Sequence, residues 1–391
     1  MVPAIGGSRW RRAGVRILVV AGARPNFVKV APVIKALKQA GRAEVALVHT
    51  GQHYDYSMSA AFFEELSIPT PDIFLGVGSG NHGEQTARIL SAFEEVLLKD
   101  PPAAVVVVGD VNSTLACALA AAKCGVPLAH VEAGLRSFDR TMPEEINRVL
   151  TDALADYLFT HSPDADENLR REGAPDERIF RVGNVMIDTL REYEVAARSR
   201  NMAGRLGLQA GGYAVCTLHR PSNVDDPGAL RTILEILAEL QSECPIVFPM
   251  HPRTRLRLEA FGLADTLQER PQIRVIDPLG YLDFVGLMAT AAMVLTDSGG
   301  VQEETTALGI PCLTLRECTE RPVTVTMGTN AVVGTNPERV LAAARRALKG
   351  DWPTGVVPDR WDGHAADRIA AILCAAEPTR APRRPIMSRV T

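Results

Sequence analysis

The chain has 391 residues, 46% of them hydrophobic and 23% charged, with a formal net charge of −4. That mix excludes a disordered, collagen-like or coiled-coil chain, and its charge balance gives no reason to expect nucleic acid or a membrane surface as a partner. No segment is long and apolar enough to span a bilayer. The seven cysteines (Cys117, Cys124, Cys216, Cys244, Cys312, Cys318 and Cys374) include no C-x-x-C pair. Buried thiols in a cytoplasmic protein are therefore expected, rather than zinc or redox chemistry.

Residues 1–14 read as a basic tail. Arg9, Arg11 and Arg12 before VRILVVAGA imitate a signal peptide. Arg16 lies inside the apolar run, however, and Arg24-Pro25 follows at once, so the run reads as a buried first strand, Arg16–Ala21. Further strands are predicted at Val45–Thr50, Ala104–Val108, Leu128–Val131 and Leu158–His161. Between them helix-period stretches run Val28–Ala40, Gln85–Lys99, Thr114–Lys123 and Glu144–Leu154. A long polar helix, Asp188–Arg200, ends in a Gly-containing turn and marks a domain boundary. A second strand series follows at Ala214–Leu218, Ile246–Met250, Ile273–Ile276, Val294–Thr296, Cys312–Leu315 and Ala331–Val333. Near-continuous apolar strands alternating with helices predict parallel sheets covered on both faces. The fold class expected is α/β: two Rossmann-like doubly wound domains, 15–187 and 188–363, facing across a cleft. A last helix (364–376) is expected to pack back on the first domain, and the Pro- and Arg-rich tail (377–391) to be disordered.

Ligands of such sheets sit at the carboxyl ends of the strands. This chain places Arg24, His49, Asp110, Glu132, His219, His251, Asp297 and Ser298 there. Any one of these is more often a turn or cap residue; their accumulation in both halves points to a site. Asp297-Ser298-Gly299-Gly300 closes a strand and opens a helix, where a glycine pair lets backbone N–H groups approach a phosphate. Glu303 and Glu304 follow, one of them suited to ribose hydroxyls. Asp110 and Glu132 end consecutive strands, and Glu144 opens a helix after Pro143. Carboxylates in unequal environments can serve as acid and base, although turn-capping explains each of them as well. His219 could hydrogen-bond a phosphate, and Arg220 could pair with it or with a carboxylate. Gly78-x-Gly80-x-x-Gly83 matches the dinucleotide fingerprint in letters only: it follows a Pro-rich loop instead of a first strand, so no NAD site is expected. His53, His82 and His251 lack metal-ligand spacing, so no metal is expected.

Together these motifs resemble the non-hydrolysing UDP-N-acetylglucosamine 2-epimerases over roughly residues 15 to 375. The residues that carry the resemblance are GARPNFVKVAP (22–32), TGQH (50–53), GDVNST (109–114), HVEAGLRS (130–137), PEEINR (143–148), VGN (182–184), LHR (218–220), TDSGGVQEE (296–304) and TERP (319–322). The hydrolysing epimerases carry a glycine-rich H-I-E-G-G-E turn and a D-E-S-I-R-H stretch that this chain lacks. The resemblance implies the two-domain fold of many nucleotide-sugar glycosyltransferases, with no cofactor and UDP-sugar as substrate; a homodimer is expected. It implies Asp110, Glu132, Glu144 and His219 as catalytic groups. Arg24 and Lys29 would contact the nucleotide sugar, Phe284 and the Leu279 backbone the uracil, Ser298, Gly299 and Gly300 the diphosphate, and Glu304 the ribose; Arg321 would be the arginine of the T-E-R-P turn.

Three departures from the family pattern stand out: Asn26 where Glu is common, His219-Arg220-Pro221-Ser222-Asn223 in place of H-R-R-E-N, and the stretched Gln52–Met58 segment. They argue against the second, activating substrate site of many bacterial members, and they resemble the branch acting on UDP-2,3-diacetamido sugars. The C2 hydrogen of such a sugar is not beside a carbonyl, so simple deprotonation is out of reach. Expulsion of UDP as C2 loses its proton, through a 2-acetamidoglucal, would solve this, in a cleft closed against water. A UDP-sugar glycosyltransferase on the same fold and a non-enzymatic UDP-sugar sensor are the competing readings.

Overall fold

The computed structural model describes residues 16–22, 24–51 and 65–375. The basic tail, the Gln52–Met58 segment and the C-terminal tail lie outside the described residues. Contacts divide the chain into two units, Met1–Thr189 with Arg360–Thr391, and Leu190–Asp359.

Among the described residues the first unit holds seven strands: β1 (Arg16–Ala21), β2 (Glu44–His49), β3 (Ile73–Phe74), β4 (Ala104–Val108), β5 (Leu128–Val131), β6 (Tyr157–Thr160) and β7 (Ile179–Arg181). They form one parallel sheet in the order β3-β2-β1-β4-β5-β6-β7. All five residues of β4, AVVVV, are buried, as a strand covered on both faces requires. Val108 pairs with Val131, which aligns the ends of β4 and β5 and brings together the positions just beyond them. On the sheet lies the helix His82–Lys99, which buries Gln85, Ile89, Phe93 and Leu97 along one stripe. Its neighbour, Asn112–Cys124, is rich in alanine, so the two helices pack closely.

The second unit repeats the plan with β8 (Ala214–Thr217), β9 (Ile246–Pro249), β10 (Ile273–Ile276), β11 (Met293–Thr296), β12 (Cys312–Thr314) and β13 (Asn330–Val332), in the order β10-β9-β8-β11-β12-β13. The helix Pro227–Leu240 seals one face with Leu230, Ile233, Leu234, Ile236, Leu237 and Leu240. Asp226 starts it by accepting from the Ala229 N–H at 2.7 Å, with Pro227 in the first turn. Each sheet has one switch in strand order, between β1 and β4 and between β8 and β11, the places where doubly wound sheets bind ligands.

Two strands were not predicted. β3 and β7 have two and three residues, too few for any periodicity; their pairing with β2 and β6 makes them strands. β3 precedes the Gly78–Gly83 loop, but it is the sheet edge and not the first strand of the unit. The first helix runs Arg24–Ala40, four residues ahead of expectation, because proline is tolerated in a first turn. Pro32 inside it removes an N–H that would have bonded the Val28 carbonyl. The Thr189 hydroxyl, from the helix Val185–Ser199, donates to that carbonyl at 2.6 Å instead.

The C-terminal helix, Ala365–Ala375, belongs to the first unit and packs on Arg24–Ala40. The buried Asp188 carboxylate accepts the N–H groups of Ala365 (3.0 Å) and Ala366 (2.6 Å), and the Trp361 indole N–H donates to the His161 carbonyl at 2.9 Å. No helix among the described residues is long and apolar enough to cross a membrane.

Candidate active site

Beyond β4 and β5 the backbone turns sharply. Gly109 has φ +71° and donates its N–H to the Val131 carbonyl at 3.0 Å. Glu132, the first residue after β5, also has φ +71°, a left-handed conformation that is unfavourable for a side chain with a Cβ. Such a conformation persists only where its surroundings enforce it, and here they do. The Lys29 ammonium pairs with Glu132 Oε2, both groups nearly fully buried. A Cβ on Gly109 would stand 3.4 Å from Asn26 Nδ2 and Glu132 Oε2 and 3.5 Å from Lys29 Nζ, so the bare glycine lies directly against the pair. Asn26, one of the departures from the family pattern, ties the loop after β1 to β4: its amide donates to the Val108 carbonyl at 3.0 Å and accepts from the Gly22 N–H at 3.2 Å.

Asp110 meets the buried guanidinium of Arg148, with Nε at 3.0 Å and Nη2 at 2.8 Å from Oδ2. The Asn147 amide donates to the Asp110 carbonyl at 2.8 Å. Arg148 and Asn147 stand on the helix Pro143–Leu154, whose first turn holds Glu144, half-buried, and Glu145, buried. Consecutive helix positions point about 100° apart, so the two acids diverge. Glu145 takes the inner position, accepting from Ser137 N–H (2.9 Å), Ser137 hydroxyl (3.0 Å) and Phe138 N–H (2.9 Å), and pairing with Arg148.

Beneath this layer is His130. Its Nδ1 lies 2.6 Å from Asp152 and its Nε2 donates to the Gly109 carbonyl at 2.8 Å. Asp152 also accepts the Gly134 N–H at 3.0 Å and pairs with Arg136 at 2.8 Å. Burial opposes its charge, but the interactions with His130 and Arg136 and the Gly134 hydrogen bond hold the carboxyl below its ordinary range. His49, another polar strand end, has a packing role: it stacks between Phe27 and Phe74 with ring centroids 5.3 Å from each, and burial lowers its pKa. Arg24 opens the first helix, and its side chain lies outside the described residues.

In the second unit the centre is Asp297, just beyond β11 and fully buried. It accepts the His219 N–H at 3.0 Å, the Arg220 N–H at 2.9 Å and the Asn223 amide at 3.2 Å, and it lies 2.9 Å from His219 Nδ1. Burial works against its charge; the hydrogen bond and charge of His219, with the backbone donors, outweigh burial and lower its pKa. His219 is thereby fixed by one ring nitrogen while its side chain remains 37% exposed.

Ser298 precedes the helix Gly299–Leu308 and makes no side-chain cap, so the first-turn N–H groups receive no hydroxyl from it. Gly299 lies tight against its neighbours: a Cβ there would be 2.3 Å from Arg321 Nη1 and 2.8 Å from Glu320 Oε1, so a side chain would displace this buried pair. Gly300 follows, half-buried. Arg321 itself is buried against Glu303 (2.8 Å) and Glu320, so it braces the glycine turn from behind. Arg316 joins Glu320 at 2.9 Å, with Arg220 at 3.7 Å. Glu304 is buried beside Tyr281; burial, and then the charge of Glu303, push its pKa up to about 8 against the Tyr281 hydrogen bond. Leu279 and Phe284 both pack, partly exposed, on one apolar cluster that includes Met202, Tyr213, Val215 and Val301.

Of the expected residues, the structure therefore brings together Lys29, Glu132 and the Gly109-Asp110 turn in one unit. In the other it joins His219 to the Asp297-Ser298-Gly299 turn and Arg321 to Gly299, and it packs Leu279 and Phe284 on one apolar cluster. The supporting groups Arg148, Glu145, Asp152 and Asp297 were not anticipated in these roles. A Glu-Arg pair three apart on a helix was visible within PEEINR, but its second partner, Asp110, lies 38 residues away.

Comparison with known proteins agrees with this fold. The family model described as UDP-N-acetylglucosamine 2-epimerase matches residues 35–374. A UDP-N-acetylglucosamine 2-epimerase of Methanocaldococcus jannaschii is 44% identical over 92% of this chain and 99% of its own length. A UDP-2,3-diacetamido-2,3-dideoxy-D-glucuronate 2-epimerase of Pseudomonas aeruginosa is 45% identical over 85% of this chain and 92% of its own. A crystal structure of the M. jannaschii enzyme in complex with UDP-GlcNAc and UDP superposes with a TM-score of 0.85, at 44% identity, covering 92% of this chain and 99% of that one. With its two doubly wound units and its strand-end acids, the chain belongs to the UDP-N-acetylglucosamine 2-epimerase family of isomerases.

Proposed function

We propose that the protein interconverts UDP-N-acetylglucosamine and UDP-N-acetylmannosamine by eliminating and re-adding UDP. The observation that carries this reading is the pair of carboxylates at the aligned ends of β4 and β5, each held by a cation: Asp110 by Arg148 and Glu132 by Lys29. Carboxylates so held are ready for proton transfer at a carbon whose proton leaves as its neighbour loses a group. In the forward step the C2 proton passes to a carboxylate, the C1–O bond breaks with its electron pair going to UDP, and a C1=C2 double bond forms. UDP then returns to C1 while a proton is delivered to the opposite face of C2. Glu144 is a third acid for these transfers. His219, oriented by Asp297, would donate to the departing diphosphate. The Ser298–Gly300 turn would take the diphosphate, Glu304 the ribose, and Leu279 with Phe284 the uracil. Lys29 would serve the carboxylate of Glu132 and, with Arg24, the sugar nucleotide. No hydride moves, so the reaction calls for no redox cofactor. A homodimer in the cytoplasm belongs to the same reading.

Incubation with UDP-GlcNAc in D2O tests it: deuterium should appear at C2 without any acceptor. Unexchanged substrate together with sugar transfer to an added acceptor would instead identify a glycosyltransferase. Asp110→Asn and Glu132→Gln should each keep UDP affinity and lose about 10²–10⁴ in exchange rate; near-normal exchange in either reduces that residue to a cap.

The second reading is supported by the P. aeruginosa relative, as similar to this chain as the archaeal one but named for a diacetamido sugar acid. If neither UDP-GlcNAc nor UDP-ManNAc reacts, a UDP-2,3-diacetamido sugar is the substrate to try.

A further inference from the structure

Arg148 is among the largest fully buried side chains of the protein, with 1% of its side chain exposed. Burying a guanidinium is unfavourable unless its donors meet acceptors, and here they meet two carboxylates of contrasting exposure. Nη1 goes to Glu145, 3% exposed and already bonded to the Ser137 and Phe138 backbone in the loop that leaves Glu132. Nε and Nη2 converge on one oxygen, Oδ2, of Asp110, whose side chain is 25% exposed. The neighbouring Asn147 holds the Asp110 carbonyl. One turn of helix thus fixes the backbone and one carboxylate oxygen of Asp110, and through Glu145 it anchors the chain that follows Glu132.

We propose that Arg148 is a positioning residue for the reaction: its forked guanidinium, braced by Glu145, orients the Asp110 carboxylate toward the sugar and couples that orientation to the loop after Glu132. The inference rests on the reading of Asp110 as a proton-transfer group. The planar fork is essential to it, because a lysine offers one compact charge and cannot hold Asp110 Oδ2 and Glu145 together in a fixed plane. A group moved by roughly an ångström can lose about 10²-fold in rate without losing its substrate.

The test measures kcat, KM and UDP affinity of Arg148→Lys and Arg148→Met, alone and combined with Asp110→Asn, on protein shown to be folded by circular dichroism and thermal unfolding. Arg148→Lys should lower kcat by about 10- to 100-fold while KM and the UDP dissociation constant stay within about threefold. Added to Asp110→Asn, it should cost little more, because the group it positions is already disabled. A folded Lys variant with parental kcat overturns the proposal. So does one that loses as much in the Asp110→Asn background as in the parent, since Arg148 then acts through something other than Asp110. A role in stability alone would lower the melting temperature and leave kcat per UDP-binding site unchanged, which also overturns it. If Arg148→Met does not fold, the Lys variant decides. Full activity in Asp110→Asn by itself would remove the underlying reading, an outcome distinct from failure at Arg148.

Discussion

Glu304 is a carboxyl that the fold keeps protonated. Burial raises its pKa to about 8, with Glu303 adding to the effect, whereas an unfolded glutamate titrates near 4.5. The folded state therefore binds a proton that the unfolded state has released between those values. The stability this proton contributes is complete below the unfolded pKa and is lost as pH rises through about 8. Glu304→Gln copies the neutral form at every pH. The melting temperature of the ligand-free variant should gain on the parent from pH 5 to pH 9, and a constant difference would contradict the assignment. If Glu304 accepts ribose hydroxyls as an anion, UDP should bind the parent more tightly as pH rises across the same range, and the variant should lose that dependence. His219 is the second residue-scale case. One of its ring nitrogens is on Asp297 and its side chain is open to solvent, and in the proposed reaction it would stabilise charge on the leaving phosphate. His219→Ala should slow turnover by about 10²-fold or more with UDP still bound. Parental turnover would show that Asp297 orders the loop for its own sake.

Among the elements, the first helix shows how a local defect is repaired at a distance. Pro32 deprives the Val28 carbonyl of its helical donor, and Thr189 supplies another. The bond ties the helix that carries Lys29 to the Val185–Ser199 helix, where Asp188 in turn caps the C-terminal helix. Thr189→Val keeps the shape and deletes the donor, leaving a buried carbonyl unsatisfied. Chemical denaturation should register a loss of about 1–3 kcal/mol; an unchanged midpoint would mean that another donor serves Val28. The helix Pro143–Leu154 is the other instructive element. Its periodicity predicts a helix from Glu144, but its buried face is polar, made of Glu145, Asn147, Arg148, Thr151 and Asp152, and among these Arg148, Glu145 and Asp152 bond Asp110, Ser137 and His130 beside the neighbouring helix Asn112–Cys124.

For the molecule as a whole the open question is regulation. The Gln52–Met58 segment lies outside the described residues, but the His219–Asn223 segment can be read. Arg220 stands 3.7 Å from Glu320, and the Asn223 amide donates to Asp297 and to the Leu315 carbonyl. These side chains have partners within the second unit, and the departures in sequence predict a protein without an activating second UDP-sugar site. Initial rates should then rise hyperbolically with UDP-GlcNAc, and UDP-ManNAc should react without added UDP-GlcNAc. Sigmoidal rates, or a reverse reaction silent until UDP-GlcNAc is added, would establish coupling between two sites.

Apolar runs alternating with helical periods were sufficient, from sequence alone, for two doubly wound units. The acids, histidine and glycine pair stood at strand ends because turns there are local events, written in contiguous residues. The letters of Gly78–Gly83 match a dinucleotide turn, but the strand that precedes them, β3, is the sheet edge, a place that only the assembled sheet assigns. What only the tertiary structure decided is what holds those groups in place. Arg148 reaches Asp110 across 38 residues, Asp297 meets His219 across 78, and Thr189 meets Val28 across 161. β3 and β7 exist only through their neighbours. Arg321 of the T-E-R-P turn packs against Gly299 and pairs with Glu303 and Glu320, contacts that its motif does not reveal. Periodicity and turn chemistry report interactions between near neighbours in the chain. Pairing between distant side chains depends on strand order and register, and these are set only when the whole sheet assembles.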